Sequence, residues 1–137
     1  ARMTLELPDD LRREIVDHAR SGAPEEVVGV LAGRRGDPSR VDRVYRATNV
    51  ANCPEVRYEI EPTAELELLE RIDGAGFDVV GFYHSHPHGP LEPSDTDARL
   101  AAWPDHSYVI VSLAAEPAIG SWRWRGDRFE AEPVRIG

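Results

Sequence analysis

The stretch VVGFYHSHPHGPLEPSDTDARLA, residues 79–101, constrains the fold more than any other part of the chain. Its first half is a short run of β-branched, apolar and aromatic residues, the composition of a buried strand. Strand side chains repeat every two residues, so His84 and His86 project to one face at the end of that strand. Pro87 brings no N–H to a ladder, and HGPLEP supplies a loop in which the chain can turn. At Ser94 a helical pattern restarts as SDTDARLAAW. A strand, a break and a helix in direct succession call for mixed α/β architecture.

The rest of the chain agrees. LPDDLRREIVDHARSG places Leu11, Ile15, Val16 and Ala19 on one face of an amphipathic helix that carries acids in its first turn and Gly22 at its end. After Pro24, residues 26–32 form a buried strand, RRGDPSR turns the chain, and VDRVYRATNV alternates as the next strand. Residues 51–61 read as a loop leading into a short strand at Val56–Ile60. A second helix follows in PTAELELLERIDGAG, with Pro62 in its first turn and two glycines at its exit. FDVVGFYH is a strand, SYVIVSL is another, and SWRWRGDRFEAEPVRI is a hairpin turning at Gly126 and Asp127. The order αββ(β)αβαβββ predicts a mixed sheet flanked by helices. With 137 residues and no repeat, linker or low-complexity tract, residues 1–137 are expected to form a single domain.

Composition excludes several classes of function. The 25 acidic residues outnumber 16 basic ones, all of them arginine, and the net charge of −9 argues against nucleic acid or an anionic membrane as the main partner. A lysine-free acidic surface suits adaptation to high salt or a GC-rich genome; it would also protect a protein that works beside a lysine-conjugation system. The single cysteine, Cys53, leaves no internal disulfide and no site built from several thiolates. ARMTLELPDD has no signal-peptide pattern and no apolar run approaches membrane-spanning length, so a soluble, cytoplasmic protein is expected. Metal ligands must then come from histidines and carboxylates.

Two imidazoles and one carboxylate are the three-ligand shell of a catalytic zinc, with a fourth position left for water. His84, His86 and Asp97 fall within fourteen residues at the mouth of one buried strand. Ser94 and Asp97 also have the Ser-x-x-Asp spacing of a helix capping box, so capping stands beside catalysis as a reading of this pair. Zinc hydrolysis needs a further carboxylate, not a ligand, to carry the proton from water to the leaving amine. Glu25 and Glu26 lead a buried strand, where a carboxylate costs desolvation unless it is used; spacing does not choose between them.

PEEVVGVLAG followed by HSHPHGPLEPSDTD resembles the JAMM (MPN+) metalloproteases. Their pattern is a glutamate on an early strand, then His-x-His-Pro, and Ser-x-x-Asp after a six-residue gap. The resemblance runs nearly end to end, including ATNVANCPEVRYEIEP. It implies the MPN fold, which is JAB/cytidine-deaminase-like, with Glu26 as the base and Glu25 as a surface neighbour. By the same match His84, His86 and Asp97 are ligands of one zinc ion, and Ser94 helps stabilise the oxyanion. The substrates it implies are conjugates of ubiquitin or ubiquitin-like modifiers, cut between the modifier's C-terminal glycine and a lysine. The chain lacks the insertion with a second zinc site found in linkage-selective members and ends after the hairpin. It is therefore similar to stand-alone archaeal enzymes that release ubiquitin-like small modifiers.

His88 is read as outside the zinc shell, since a fourth protein ligand would close it. His18 and His106 are expected at the surface, Cys53 as a buried or semi-exposed thiol, and Trp122 and Trp124 on a packed face opposite a wet face of Arg123 and Arg125. The extended segment Arg57–Glu61 is a candidate edge for strand addition by a modifier's C-terminal tail, against an ordinary loop. Three rival readings remain. A peptidase for linear modifier or sulfur-carrier fusions would share the site. A non-catalytic scaffold of the same fold would lack one or more of its residues, and all are present. A zinc nucleobase deaminase would need a Pro-Cys-x-x-Cys half-site that is absent.

Overall fold

The computed structural model describes residues 3–137. Strand β1 (Leu5–Leu7) precedes helix α1 (Asp9–Gly22), and strands β2 (Val28–Arg34) and β3 (Ser39–Ala47) follow. Helix α2 (Pro62–Gly74) leads to strand β4 (Asp78–His86), and short helix α3 (Asp95–Leu100) to strand β5 (Ser107–Ser112). The chain ends in β6 (Ala118–Trp124), β7 (Phe129–Glu132) and β8 (Val134–Ile136). All eight strands join one mixed sheet in the order β7-β6-β5-β4-β2-β3-β1-β8, with β4–β5, β1–β3 and β1–β8 parallel.

The sheet's two outermost strands, β7 and β8, are separated in sequence by Pro133 alone. The sheet therefore curls until one continuous stretch serves both edges. The backbone N–H of Leu5 donates to the Pro133 carbonyl at 3.0 Å and fastens this seam. The terminal hairpin is thus shorter than the sequence pattern predicts: β6 and β7 pair only between Ser121 and Glu132, and the last strand leaves for β1, a strand too short for periodicity to reveal. Leu5 and Leu7, both fully buried, carry the reason for β1: two inward side chains suffice when neighbours lie on either side.

Each face of the sheet has its own core. On one face the stripe Leu11, Ile15, Val16 and Ala19 of α1 packs on Leu31, Val41, Tyr83, Val109 and Val111. On the other, Ile72 of α2 meets Val30, Ala32, Phe82, Tyr108 and Trp124, with Ala98 of α3 and Trp103 against them. A bulge in β4 sets the division. Leu31 pairs with Gly81 and Ala32 with Val79, so Val80 is an extra residue, and beyond it Phe82, His84 and His86 all face the α2/α3 side.

Four further expectations need correcting. No strand forms at Val56–Ile60; the segment makes only an isolated bridge between Asn49 and Ile60, because the Asn49 side chain takes the bonds a ladder would have made. Helix α3 stops at Leu100 rather than Trp103: Ala101 turns extended (φ −64°, ψ 127°) as its N–H closes the last turn on the Asp97 carbonyl. Arg123 is buried rather than wet, with its guanidinium 2.8 Å from Glu132, which also accepts bonds from Ser107 and Ser121. Cys53 is exposed.

Candidate metal centre

The antiparallel register of β2 and β4 explains the centre. Val28 pairs with His84, and the pairing continues past the ladder's end as the Ser85 N–H reaches the Val27 carbonyl at 3.1 Å. Carried two residues on, that register sets Glu26 opposite His86, on the face where both histidines project. Glu25 is exposed, whereas Glu26 is 5% exposed, so only one of the two adjacent glutamates enters the site. After the Pro87–Pro93 loop, α3 begins with Ser94 as its N-cap and the capping box is formed: Asp97 N–H donates to Ser94 Oγ at 3.0 Å, and Ser94 N–H donates to Asp97 Oδ2 at 2.9 Å. The cap turns the Asp97 carboxylate back toward β4.

The result is a buried cluster of Glu26, His84, His86 and Asp97, whose potential ligand atoms lie within 4.8 Å of one another. His84 Nε2 and His86 Nε2 each lie 3.1 Å from the same atom, Asp97 Oδ2. A cavity of about 410 Å³ lined by Glu26, His86, Pro90 and Ser94, among others, opens onto the cluster. His88, which also lines that cavity, is exposed and is not part of the cluster.

One contact bears on what the cluster could hold. His86 Nδ1 lies 2.9 Å from the Pro90 carbonyl oxygen, which can only accept, so Nδ1 carries the hydrogen. In the neutral ring Nε2 is then a bare lone pair aimed at Asp97 Oδ2. Two acceptors 3.1 Å apart need a cation between them, either a proton or a metal ion. Bond lengths of about 2.0–2.2 Å would give a tetrahedral shell ligand-to-ligand separations of about 3.3–3.6 Å, a few tenths of an ångström above the 3.1 Å found here. One further buried atom of the cluster, Glu26 Oε1, has no hydrogen-bond partner. The donor set and its unmet valences fit a divalent metal.

The charges respond to this crowding. Burial pushes the Glu26 carboxyl up to about 8, with His86 opposing and Asp97 adding. Burial lowers His84 despite its bond to Asp97. It also works against protonation of His86, but there the bonds to Asp97 and to the Pro90 carbonyl win and raise the ring. For Asp97 burial favours the neutral form, and the two imidazole bonds overcome it, holding the carboxyl well below the usual carboxylate range.

Away from the centre, His18 and His106 are half-buried rather than at the surface: His18 Nδ1 lies 2.7 Å from the Tyr83 hydroxyl and His106 Nδ1 lies 2.9 Å from the Pro104 carbonyl. Two residues beside the cluster escaped the sequence reading. Tyr58 lies flat on His84, with ring centroids 4.6 Å apart and planes at 29°. Asn49 donates to the carbonyls of Glu26 and Arg57, at 2.9 and 3.0 Å, and accepts from Glu59 N–H at 3.0 Å. Neither has a periodicity or a metal-ligand spacing to mark it; only the folded loop brings them to the site.

Comparison with known proteins agrees with this architecture. A family profile described as "Prokaryotic homologs of the JAB domain" matches residues 8–125. A desampylase of Haloferax volcanii is 42% identical over 136 residues, 96% of each chain. A probable TtuB-protein conjugate cleaving protease of Thermus thermophilus is 38% identical over 74% of this chain and 66% of its own length. A CysO-cysteine peptidase of Mycobacterium tuberculosis is 38% identical over 93% of this chain and 87% of its own. Among solved structures, a Desulfitobacterium hafniense protein superposes with a TM-score of 0.87 at 33% identity, covering 98% of this chain and 93% of that one. A JAB1/MPN domain protein from Archaeoglobus fulgidus superposes at 0.62 with 19% identity over 100% and 98% of the two chains, a likeness of fold. The chain therefore belongs to the prokaryotic JAB-domain family and has the MPN fold.

Proposed function

We propose that residues 1–137 act as one zinc-dependent isopeptidase domain, hydrolysing the bond between the C-terminal glycine of a ubiquitin-like small modifier and a lysine of its target. The observation that carries the reading is the pair His86 Nε2 and Asp97 Oδ2, which needs a cation between its atoms, in a cluster that also buries an unpartnered glutamate oxygen. Three relatives whose names specify a desampylase, a conjugate-cleaving protease and a CysO-cysteine peptidase support the substrate class.

His84, His86 and Asp97 would hold one zinc ion. Bound there, zinc supplies Lewis acidity to a carbonyl group and lowers the pKa of water to about 7. Glu26 is the proton carrier: its Oε1 is buried without a partner and lies on the cavity wall, placed to take a proton from attacking water and return it to the leaving amine. The Ser94 Oγ lone pairs serve the Asp97 N–H, which leaves the hydroxyl hydrogen to donate to the charge developing on the scissile carbonyl oxygen. In Arg57–Glu61, the Arg57 carbonyl and the Glu59 N–H are turned inward onto Asn49. In an extended chain the peptide groups of Tyr58 then point the other way, toward the edge on which a modifier's tail would add as a strand. An unpaired, exposed thiol suits the cytoplasm, and the lysine-free acidic composition suits a salt-adapted archaeal host.

The test incubates purified protein with a lysine-linked modifier conjugate and with the corresponding linear fusion, with and without chelator, beside Glu26→Ala. The expected result is cleavage of the branched conjugate, abolished by chelator and by Glu26→Ala, with the variant still folded and still holding zinc. Cleavage that survives the chelator, or pure active protein without metal, overturns the proposal. Cleavage confined to the linear fusion assigns the site to fusion processing instead.

A further inference from the structure

The two histidines at the centre are held in different ways. His86 donates Nδ1–H to the Pro90 carbonyl, the outer hydrogen bond that metal-binding imidazoles usually make and that fixes the ring's tautomer and direction. His84 has no such bond: its Nδ1 is buried and unpartnered, although the residue is only 1% exposed. Tyr58 lies instead against the face of the His84 ring, 4.6 Å away between centroids and tilted by 29°.

We infer that Tyr58 is a positioning residue for the metal, holding the His84 ring by its face where the Pro90 carbonyl holds His86 by its Nδ1 edge. The inference rests on the zinc reading above. An imidazole that gives its Nε2 lone pair to a divalent cation becomes electron-poor, and the electron-rich face of a phenol attracts such a ring. The stack therefore favours the metal-loaded ring over the empty one, and its contribution is to affinity as well as to orientation. The ring's own position does not depend on the metal. Asn49 binds the carbonyl of Arg57 and the N–H of Glu59, the peptide groups on either side of Tyr58, and Val50 N–H donates to the Glu59 carbonyl at 2.9 Å. Burial leaves Tyr58 neutral, its hydroxyl shifted far up, so the face and not a phenolate meets His84.

The experiment measures zinc affinity by competition with a chromogenic chelator for the metal-free parent, Tyr58→Phe and Tyr58→Leu. The melting temperature of each metal-free protein is recorded alongside. Tyr58→Phe keeps the π face and is expected to match the parent; Tyr58→Leu keeps apolar bulk without the face and is expected to bind zinc about 10–100-fold more weakly. All three metal-free proteins should melt together. Tyr58→Leu binding as tightly as the parent, Tyr58→Phe as weak as Tyr58→Leu, or a loss of affinity matched by a fall in metal-free melting temperature would each overturn the inference while leaving the zinc reading intact. A parent that takes up no zinc overturns the zinc reading, and this inference with it.

Discussion

Asp97 serves two purposes with one oxygen. Its Oδ2 accepts the Ser94 N–H that starts α3 and also meets both imidazoles, so a helix cap aims the carboxylate at the centre. Substitution separates the two roles. Asn at this position can still accept from Ser94 N–H, so Asp97→Asn should keep the cap but lose the charge that both imidazoles meet, lowering metal-free stability and weakening zinc binding by more than about 100-fold, above the range for supporting residues. Asp97→Ala loses the cap as well and should cost about a further 1 kcal/mol of stability. Melting curves and a zinc competition titration read the two effects independently; equal zinc affinity in Asp97→Asn and the parent would remove Asp97 from the shell. The cap was legible as Ser-x-x-Asp, and so was a pair of imidazoles on one strand face in His-x-His, because both depend on local spacing. Tyr58 was not, since a stack between residues 26 positions apart has no sequence signature.

At the scale of elements, α1 and β4 are tied by a polar contact inside an apolar interface. Tyr83 is fully buried, and its hydroxyl finds His18 of α1 at 2.7 Å. Burial, reinforced by the nearby Arg46, lowers His18 to about 4. The unfolded chain takes up this proton near the ordinary pKa of about 6.5, the folded chain only near 4. The contribution of neutral His18 is therefore complete above about pH 6.5 and is lost as pH falls toward 4. Melting the metal-free protein across that window should show a steady decline that is shallower in His18→Gln; parallel declines would place the acid sensitivity elsewhere. The elements themselves were mostly predictable, since α1, α2, β2, β4 and β5 have clear periodicity or compact apolar runs. The exceptions have physical causes. β1 is three residues long, β8 follows a proline, and residues 56–60 have alternating composition, but their inward hydrogen bonds go to the Asn49 side chain instead of a strand.

For the whole molecule, a net charge of −9 without lysine means that the folded state carries self-repulsion which counterions relieve. Raising salt from about 0.1 M to about 1 M shortens the screening length from about 10 Å to about 3 Å, so the metal-free melting temperature should climb over that range. A flat or falling profile would show that the acidic surface is not under strain. Among the described residues no helix is long and apolar enough to cross a membrane. By itself the sequence determined the local devices: an amphipathic helix, buried strands, a capping box and two imidazoles on one strand face. These follow from side-chain periodicity and hydrogen-bonding geometry over a few residues. The family pattern already chose Glu26 over Glu25, but tertiary structure alone decided that Glu26 is buried opposite the histidines, that Asp97 Oδ2 touches both rings, and that Tyr58 covers His84. Each of these depends on strand register, the bulge at Val80 and the folded loop around Asn49, and register is a relation between distant segments that neither segment encodes alone.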